Sequence, residues 1–277
     1  MKSPFLSVFR NQLSELNNRL SHYIFVWEQF SLDNAETLAK KKGEQTTEAY
    51  QKNRFAPQYN VVLDKLERSH DETSTFILKS LFILLHTEFE VYMRDLYEVA
   101  RKTDDTLPDL AVKARVPDKI FENLNIDMGA SFEQKEIWTL EYLRLRRNRI
   151  VHSGGQSKGE LAATIKNRGN ALQRYWQGRL TRGLFGVNFQ SEETDQFSKE
   201  EIFDFINIWR LLTSKIDQIV CNRISEAKIV KYLRAEFADE RPGEIKRWGA
   251  IKSKKKFIGY VKMQYDIGLT LDAVDDF

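Results

Sequence analysis

Leu78, Leu81, Phe82, Leu85, Phe89, Tyr92, Leu96 and Val99 recur in steps that draw a single apolar line. At helical pitch that line is one stripe about seven turns long, on a helix predicted from Thr73 to Lys102. A stripe of that length is stable only when other surfaces cover it. Asp71 or Ser74 is the expected cap at its start.

Two further stripes supply cover. Phe9, Leu13, Leu16, Leu20, Tyr23, Trp27 and Phe30 share one helical face, and their aromatic content suits a globular bundle better than a two-stranded coil. Ile202, Phe205, Ile206, Trp209, Leu212, Ile216 and Ile219 mark a helix running to about Ile224, opened by the capping box Ser198-Lys-Glu-Glu201. A fourth helix is expected from Phe132 toward Ile150, behind a capping box of Ser131 and Gln134. Ile137, Trp138, Tyr142 and Leu145 are its expected buried side, with the arginines around the rest.

Weaker signals fill the gaps. Gly159 to Gln177 carries faint helical periodicity, Asp118 to Leu124 suits a short helix, and Leu184 to Phe189 alternates as a short extended piece would. The fold class read from this pattern is all-α, a bundle of four or five main helices. It divides in sequence order into an N-terminal helical extension (1–58), the bundle (59–225) and a basic C-terminal extension (226–277). In that extension Lys246, Arg247, Lys252, Lys254, Lys255 and Lys256 alternate with Trp248, Phe257 and Tyr260. The pattern reads as a small β-hairpin or a docked tail, with base stacking on the rings as the alternative.

Absences narrow the chemistry. The single cysteine, Cys221, leaves no internal disulfide and no thiolate zinc site, and fits a reducing compartment. No apolar run approaches the ~20 residues of a membrane span, and the first residues lack a signal-peptide block, so a cytoplasmic protein without membrane contact is expected. There is no phosphate-binding Gly-rich loop, no GxGxxG, no His-Glu-x-x-His and no GxSxG, and the four histidines (22, 70, 86, 152) are scattered. Neither a metal nor a cofactor is expected.

The charge is unevenly placed. Between Glu141 and Gly183 stand ten Lys or Arg and two acids, a window of +8 in a chain whose net charge is +3. Such a face suits a polyanion. At its head lies Arg144-Leu-Arg-Arg-Asn-Arg-Ile-Val-His152, followed by Ser153-Gly154-Gly155. An arginine fork close to an imidazole, which titrates near neutrality, suits phosphodiester chemistry. The same residues also suit a helix end, where cations meet the last carbonyls, with Arg147 paired to an acid such as Glu141.

Arg147, the polar Asn148, three intervening residues and His152 match Arg-x4-6-His, and the stretch thereby resembles the HEPN superfamily (higher eukaryotes and prokaryotes nucleotide-binding). The helix around Leu85-His86-Thr-Glu-Phe-Glu90 before it and the Ile202–Ile224 helix after it are similar to that all-α layout. The resemblance covers about residues 60 to 225. It implies a metal-independent endoribonuclease that acts as a homodimer in a toxin–antitoxin or antiviral defence system, with RNA as substrate and an antitoxin or defence protein as further partner. His152 would move the proton, Arg147 would hold the scissile phosphate, and Asn148 would orient one or the other. His86, Glu90 and Glu141 are supporting candidates, and Arg144, Arg146, Arg149 and Lys158 are expected to guide RNA. A non-catalytic HEPN protein that binds RNA or nucleotides, or scaffolds a partner, is the alternative. Some HEPN toxins have a tyrosine, the target of modification, two residues after the histidine; Gly154 stands there in this chain.

Overall fold

The apolar stripes become helices, and the longest of them outrun their stripes. The structure is a computed structural model that describes residues 1–152, 157–275 and 277, and the side chains of all of these except residues 157 and 158. Eleven α-helices are present among the described residues: α1 (Pro4–Lys40), α2 (Thr46–Ala49), α3 (Leu66–Thr103), α4 (Asp118–Asn123), α5 (Met128–Ser131), α6 (Gln134–Val151), α7 (Ser157–Arg179), α8 (Lys199–Arg223), α9 (Glu226–Glu240), α10 (Pro242–Trp248) and α11 (Ala250–Tyr265). The only β pairing among them is one antiparallel bridge between Gln45 and Val62. The all-α expectation holds. No helix among the described residues is long and apolar enough to cross a membrane.

Several boundaries differ from the sequence reading, each for a local reason. Helix α3 starts at Leu66, not near Asp71 or Ser74, because a 3₁₀ turn at Leu63–Lys65 feeds straight into it. The start of α6 is fixed by the Glu136 carboxylate, which accepts the Glu133 amide at 2.8 Å, while Ser131 belongs to the short α5 capped by Asp127. The expected Ser131–Gln134 box is therefore displaced by competing carboxylates. At α8, Ser198 does accept the Glu201 amide at 3.1 Å.

The C-terminal region is not a hairpin. It forms α9, α10 and α11, and Phe257, Val261 and Tyr265 sit one turn apart on the buried face of α11. Leu184 to Phe189 is not a strand either. Its backbone donors go to side chains: Phe185, Gly186 and Val187 donate to one Asp204 oxygen at 2.8, 2.8 and 3.0 Å, and Phe189 donates to Gln173 at 2.9 Å. A buried carboxylate that accepts three amides satisfies them as a ladder would.

The chain forms two compact units, and the division runs through α1, α3, α6 and α8. One unit, called here the motif unit, comprises Leu13–Leu85 and Tyr142–Ile206. Its core holds Leu13, Leu16, Leu20, Phe82, Tyr142, Leu172, Trp176, Phe189 and Phe205, all nearly inaccessible to solvent. Two glycines set its close approaches. A Cβ on Gly169 would lie 2.5 Å from the Phe189 carbonyl oxygen, and one on Gly186 would lie 2.3 Å from the Glu201 amide nitrogen.

The other, the terminal unit, comprises Met1–Gln12, His86–Glu141 and Asn207–Phe277. Phe9 stacks on Tyr92 with centroids 5.4 Å apart, and Phe89 stacks on Trp209 at 4.2 Å. Buried beside them is Asp217, which accepts the Ser3 amide at 3.0 Å, the Ser3 hydroxyl, and the Tyr92 hydroxyl at 3.2 Å. The start of the chain is thus held by an interior carboxylate.

Candidate functional site

Helix α6 brings the arginine-rich stretch into the motif unit, and its burial pattern sorts the arginines. The inaccessible positions Glu136, Thr139, Leu143 and Arg146 follow helical spacing, whereas Ile137 and Trp138 are only half-buried. Leu140, Tyr142 and Leu145 are buried as well, so the expected Tyr142 and Leu145 are where hydrophobicity puts them, and the polar Glu136, Thr139 and Arg146 are what it misses. Arg146 is 1% exposed. Its Nε donates to the Thr194 carbonyl at 2.9 Å, and Nη2 to the Gln196 carbonyl at 2.8 Å and to Glu201 Oε2 at 3.1 Å. Nη1 bonds the other Glu201 oxygen and the Tyr142 hydroxyl. The Phe197 ring lies 4.0 Å from its guanidinium carbon. Arg146 was expected to guide RNA; a guanidinium this enclosed and this fully bonded has no donor to offer. That assignment is corrected to a structural one.

Arg147, the next residue, has the opposite character. It is half-buried, forms no ion pair with any described residue, and donates through Nη1 to Asn148 Oδ1 at 3.2 Å. Its Nε is buried without a hydrogen-bond partner. Unmet buried donors are uncommon and call for an explanation. Asn148 lies one turn before His152, whose amide donates to the Asn148 carbonyl at 2.9 Å just past the helix end. The His152 side chain is exposed and bonds no described residue. Arg147 and Asn148 therefore stand near the end of α6 and His152 directly after it, with the Asn148 side chain accepting from the Arg147 guanidinium.

Further cations of the basic window stand on α7 and just after it. No Asp or Glu occurs from Leu161 to Ser191, and Lys166, Arg174, Arg179 and Arg182 in that stretch are all exposed. Lys166, Asn170, Arg174 and Gln177 lie on one helical face. The +8 window holds these residues without marking which of them face solvent, and the acid-free run includes the half-buried Arg168 as well. Arg144 and Arg149 are half-buried. Lys158, the other residue expected to guide RNA, lies outside the described side chains, and Ser153, Gly154 and Gly155 lie outside the described residues.

The supporting candidates belong to the terminal unit. His86 is 4% exposed, more enclosed than a half-buried histidine. Its ring lies 5.9 Å from Trp209 and 6.2 Å from Phe89. Its Nε2 is 3.5 Å from Glu90 Oε1, and its Nδ1 is buried without a partner. Glu141 is half-buried at the point where α6 passes from one unit to the other.

Among the described residues no group of three His, Cys, Asp or Glu side chains gathers as a metal site would. An open polar cavity of about 300 Å³ adjoins Arg146 and is lined by Asn188, Ser191, Glu193 and Gln196, but the Arg146 donors are already engaged. No family model matches the chain, and neither a curated protein nor a solved structure is similar to it.

Proposed function

We propose that this protein is a metal-independent endoribonuclease of the HEPN kind, with Arg147, Asn148 and His152 as the reacting set. One observation carries the reading. Of two adjacent arginines, Arg146 is wholly engaged in the fold, whereas Arg147 is paired with no acid among the described residues and is followed five positions later by an exposed histidine. A guanidinium kept from carboxylates is suited to a phosphodiester, whose oxygens accept two parallel hydrogen bonds and gain charge in the transition state.

The step is intramolecular. The ribose 2′-oxygen attacks phosphorus as its proton is removed, the bond to the 5′-oxygen breaks, and that oxygen takes up a proton. A 2′,3′-cyclic phosphate and a 5′-OH result. His152 serves as one proton carrier, by taking the 2′-OH proton or supplying the leaving group. Each chain offers one such histidine, so a two-fold dimer that brings two motifs to one groove supplies donor and acceptor together. Cytoplasmic defence, with an antitoxin or another defence protein as partner, is the setting this activity fits.

RNA incubated with the protein in excess chelator tests the reading. Cyclic-phosphate ends are expected, uncut DNA of the same sequence, and a rate lower by about 10²–10⁴ for His152→Ala. Undiminished cleavage by that variant removes His152 from the reaction. Binding without cleavage by the unaltered chain favours the non-catalytic RNA- or nucleotide-binding reading.

A further inference from the structure

Helix α11 contains Lys252, Lys254, Lys255, Lys256 and Lys262 and no acid. One side is buried: Ser253, Phe257, Val261 and Tyr265 are enclosed, and Phe257 meets Phe237 at 5.5 Å, while Ile251 and Met263 stay exposed near the two ends. Lys252, Lys255, Lys256 and Lys262 project from the opposite side, are exposed, and form no ion pair with any described residue. The row spans eleven residues, about 15 Å along the axis. Most lysine-rich surface helices interleave acids that neutralise them; this one does not.

A second feature continues it. At the Lys262 end an open groove of about 710 Å³ has three cations, Lys2, Arg10 and Lys262, and one carboxylate, Asp266, in its lining, with Val8 and Met263 between them. Val8 is 55% exposed and Met263 75% exposed, so the groove offers apolar contact between cations. All of these residues belong to the terminal unit, as does the whole of α11.

We infer that the outer face of α11 and this groove form a docking surface for single-stranded RNA, with phosphates on the lysine row and a base or ribose against Val8 and Met263. The inference deepens the endoribonuclease reading and rests on it for the choice of RNA. The rings of the C-terminal region are not the stacking platform. Phe257 is buried, Trp248 lies against Phe237 at 6.4 Å, and the Tyr260 hydroxyl donates to Glu236 at 3.0 Å. An anionic membrane is the weaker match, because a helix lying on lipid inserts a continuous apolar face, and on α11 only Ile251 and Met263, at its two ends, are exposed large apolar residues.

The test is equilibrium binding of a fluorescein-labelled uridylate 20-mer to the full chain carrying His152→Ala, so that cleavage does not intervene, across a salt series. Three proteins are compared: that chain, the same chain with Lys252, Lys255, Lys256 and Lys262 all changed to Gln, and a charge-matched control with Lys42, Lys52, Lys65 and Lys113 changed to Gln. Each phosphate contact to a single strand contributes about 0.7 to the log–log salt slope, so the α11 variant should lose up to about 3 in slope. The control should keep its slope. A deoxythymidylate 20-mer should behave alike, since the contacts are to phosphate. Equal slopes in the two lysine variants overturn the inference, and so does capture by phosphatidylserine vesicles without oligonucleotide binding. A steep slope that falls in the α11 variant, in a protein that never cuts RNA, leaves the surface standing and removes the endoribonuclease reading alone.

Discussion

Arg146 and Glu201 form a buried ion pair across 55 residues of sequence, with Arg146 Nη2 donating to Glu201 Oε2 at 3.1 Å. The pair ties α6 to the first turn of α8, and the Arg146 bonds to Thr194 and Gln196 draw in the connection that precedes α8. Removal of one partner leaves the other charge buried without compensation, which costs about 3–5 kcal/mol. Arg146→Met and Glu201→Gln should each lower the unfolding free energy measured in urea by that amount. The double change Arg146→Met with Glu201→Leu should recover part of the loss. A loss below about 1 kcal/mol in either single variant would contradict the buried-pair account.

The stripes of α1, α3 and α8 are legible because apolar residues at helical spacing have one economical explanation, and Phe9, Phe89 and Trp209 are buried as that spacing requires. What escaped the sequence is where polar side chains do structural work. Arg146 cannot be told from Arg147 by type or neighbourhood, because its partner Glu201 is remote and reads locally as a capping residue. The 184–189 segment alternates like a strand, yet Asp204 and Gln173 take its donors, and no spacing rule pairs those residues. The motif residues are legible because Arg147, Asn148 and His152 fall within six positions of sequence. Which arginine in it is left unpaired was not.

Gly186 predicts a second stability effect. A methyl group there meets the Glu201 amide nitrogen at 2.3 Å, and backbone cannot rotate aside as a side chain can. Gly186→Ala should displace the loop from the start of α8 and cost about 1–3 kcal/mol in denaturant unfolding. Gly178→Ala, with nothing within 4 Å of the added carbon, is the control and should be neutral or slightly stabilising.

Asp217 predicts both a stability loss and a silent thiol. Asp217→Ala strands the Ser3 donors and the Tyr92 hydroxyl, a loss of about 3 kcal/mol or more. Cys221 is 2% exposed, and its Sγ lies 3.7 Å from an Asp217 oxygen. Burial, followed by the Asp217 charge, pushes its thiol well above the ordinary range, so the reactive thiolate is scarce. A disulfide-exchange reagent should leave the native chain unlabelled over the time that completes labelling in urea. Asp217→Ala should speed native labelling by loosening the site.

Asp104 predicts an acid-sensitive tie. The Thr106 hydroxyl donates to its carboxylate at 2.7 Å, and Lys228 at the start of α9 does so at 3.1 Å. The Thr106 hydroxyl first, then Lys228 and the Thr106 amide, lower its pKa from 3.8 to about 2. A depressed carboxylate favours the fold above its unfolded value, so the tie is complete above pH 3.8 and is lost as pH falls through about 2. Carboxyl chemical shifts followed by NMR should titrate near pH 2 in the native chain, and Lys228→Gln should raise that midpoint toward the ordinary value.

Arg147 is where stability and activity should separate. Unlike Arg146 it has no acid among the described residues to lose, and its side chain donates to the neighbouring Asn148. Arg147→Lys keeps the positive charge and gives up the planar fork that matches two phosphate oxygens. The unfolding midpoint should therefore move by no more than about 0.5 kcal/mol. Cleavage of RNA, on the proposed chemistry, should fall by about 10²–10³. Arg149→Lys, a change of the same kind two residues along the helix, should leave the rate within a few-fold. If the two variants lose cleavage equally, the fork at Arg147 is not the phosphate clamp, and the basic face acts only by charge. If Arg147→Lys instead unfolds the protein as Arg146→Met does, both arginines are structural and the motif has no reacting guanidinium.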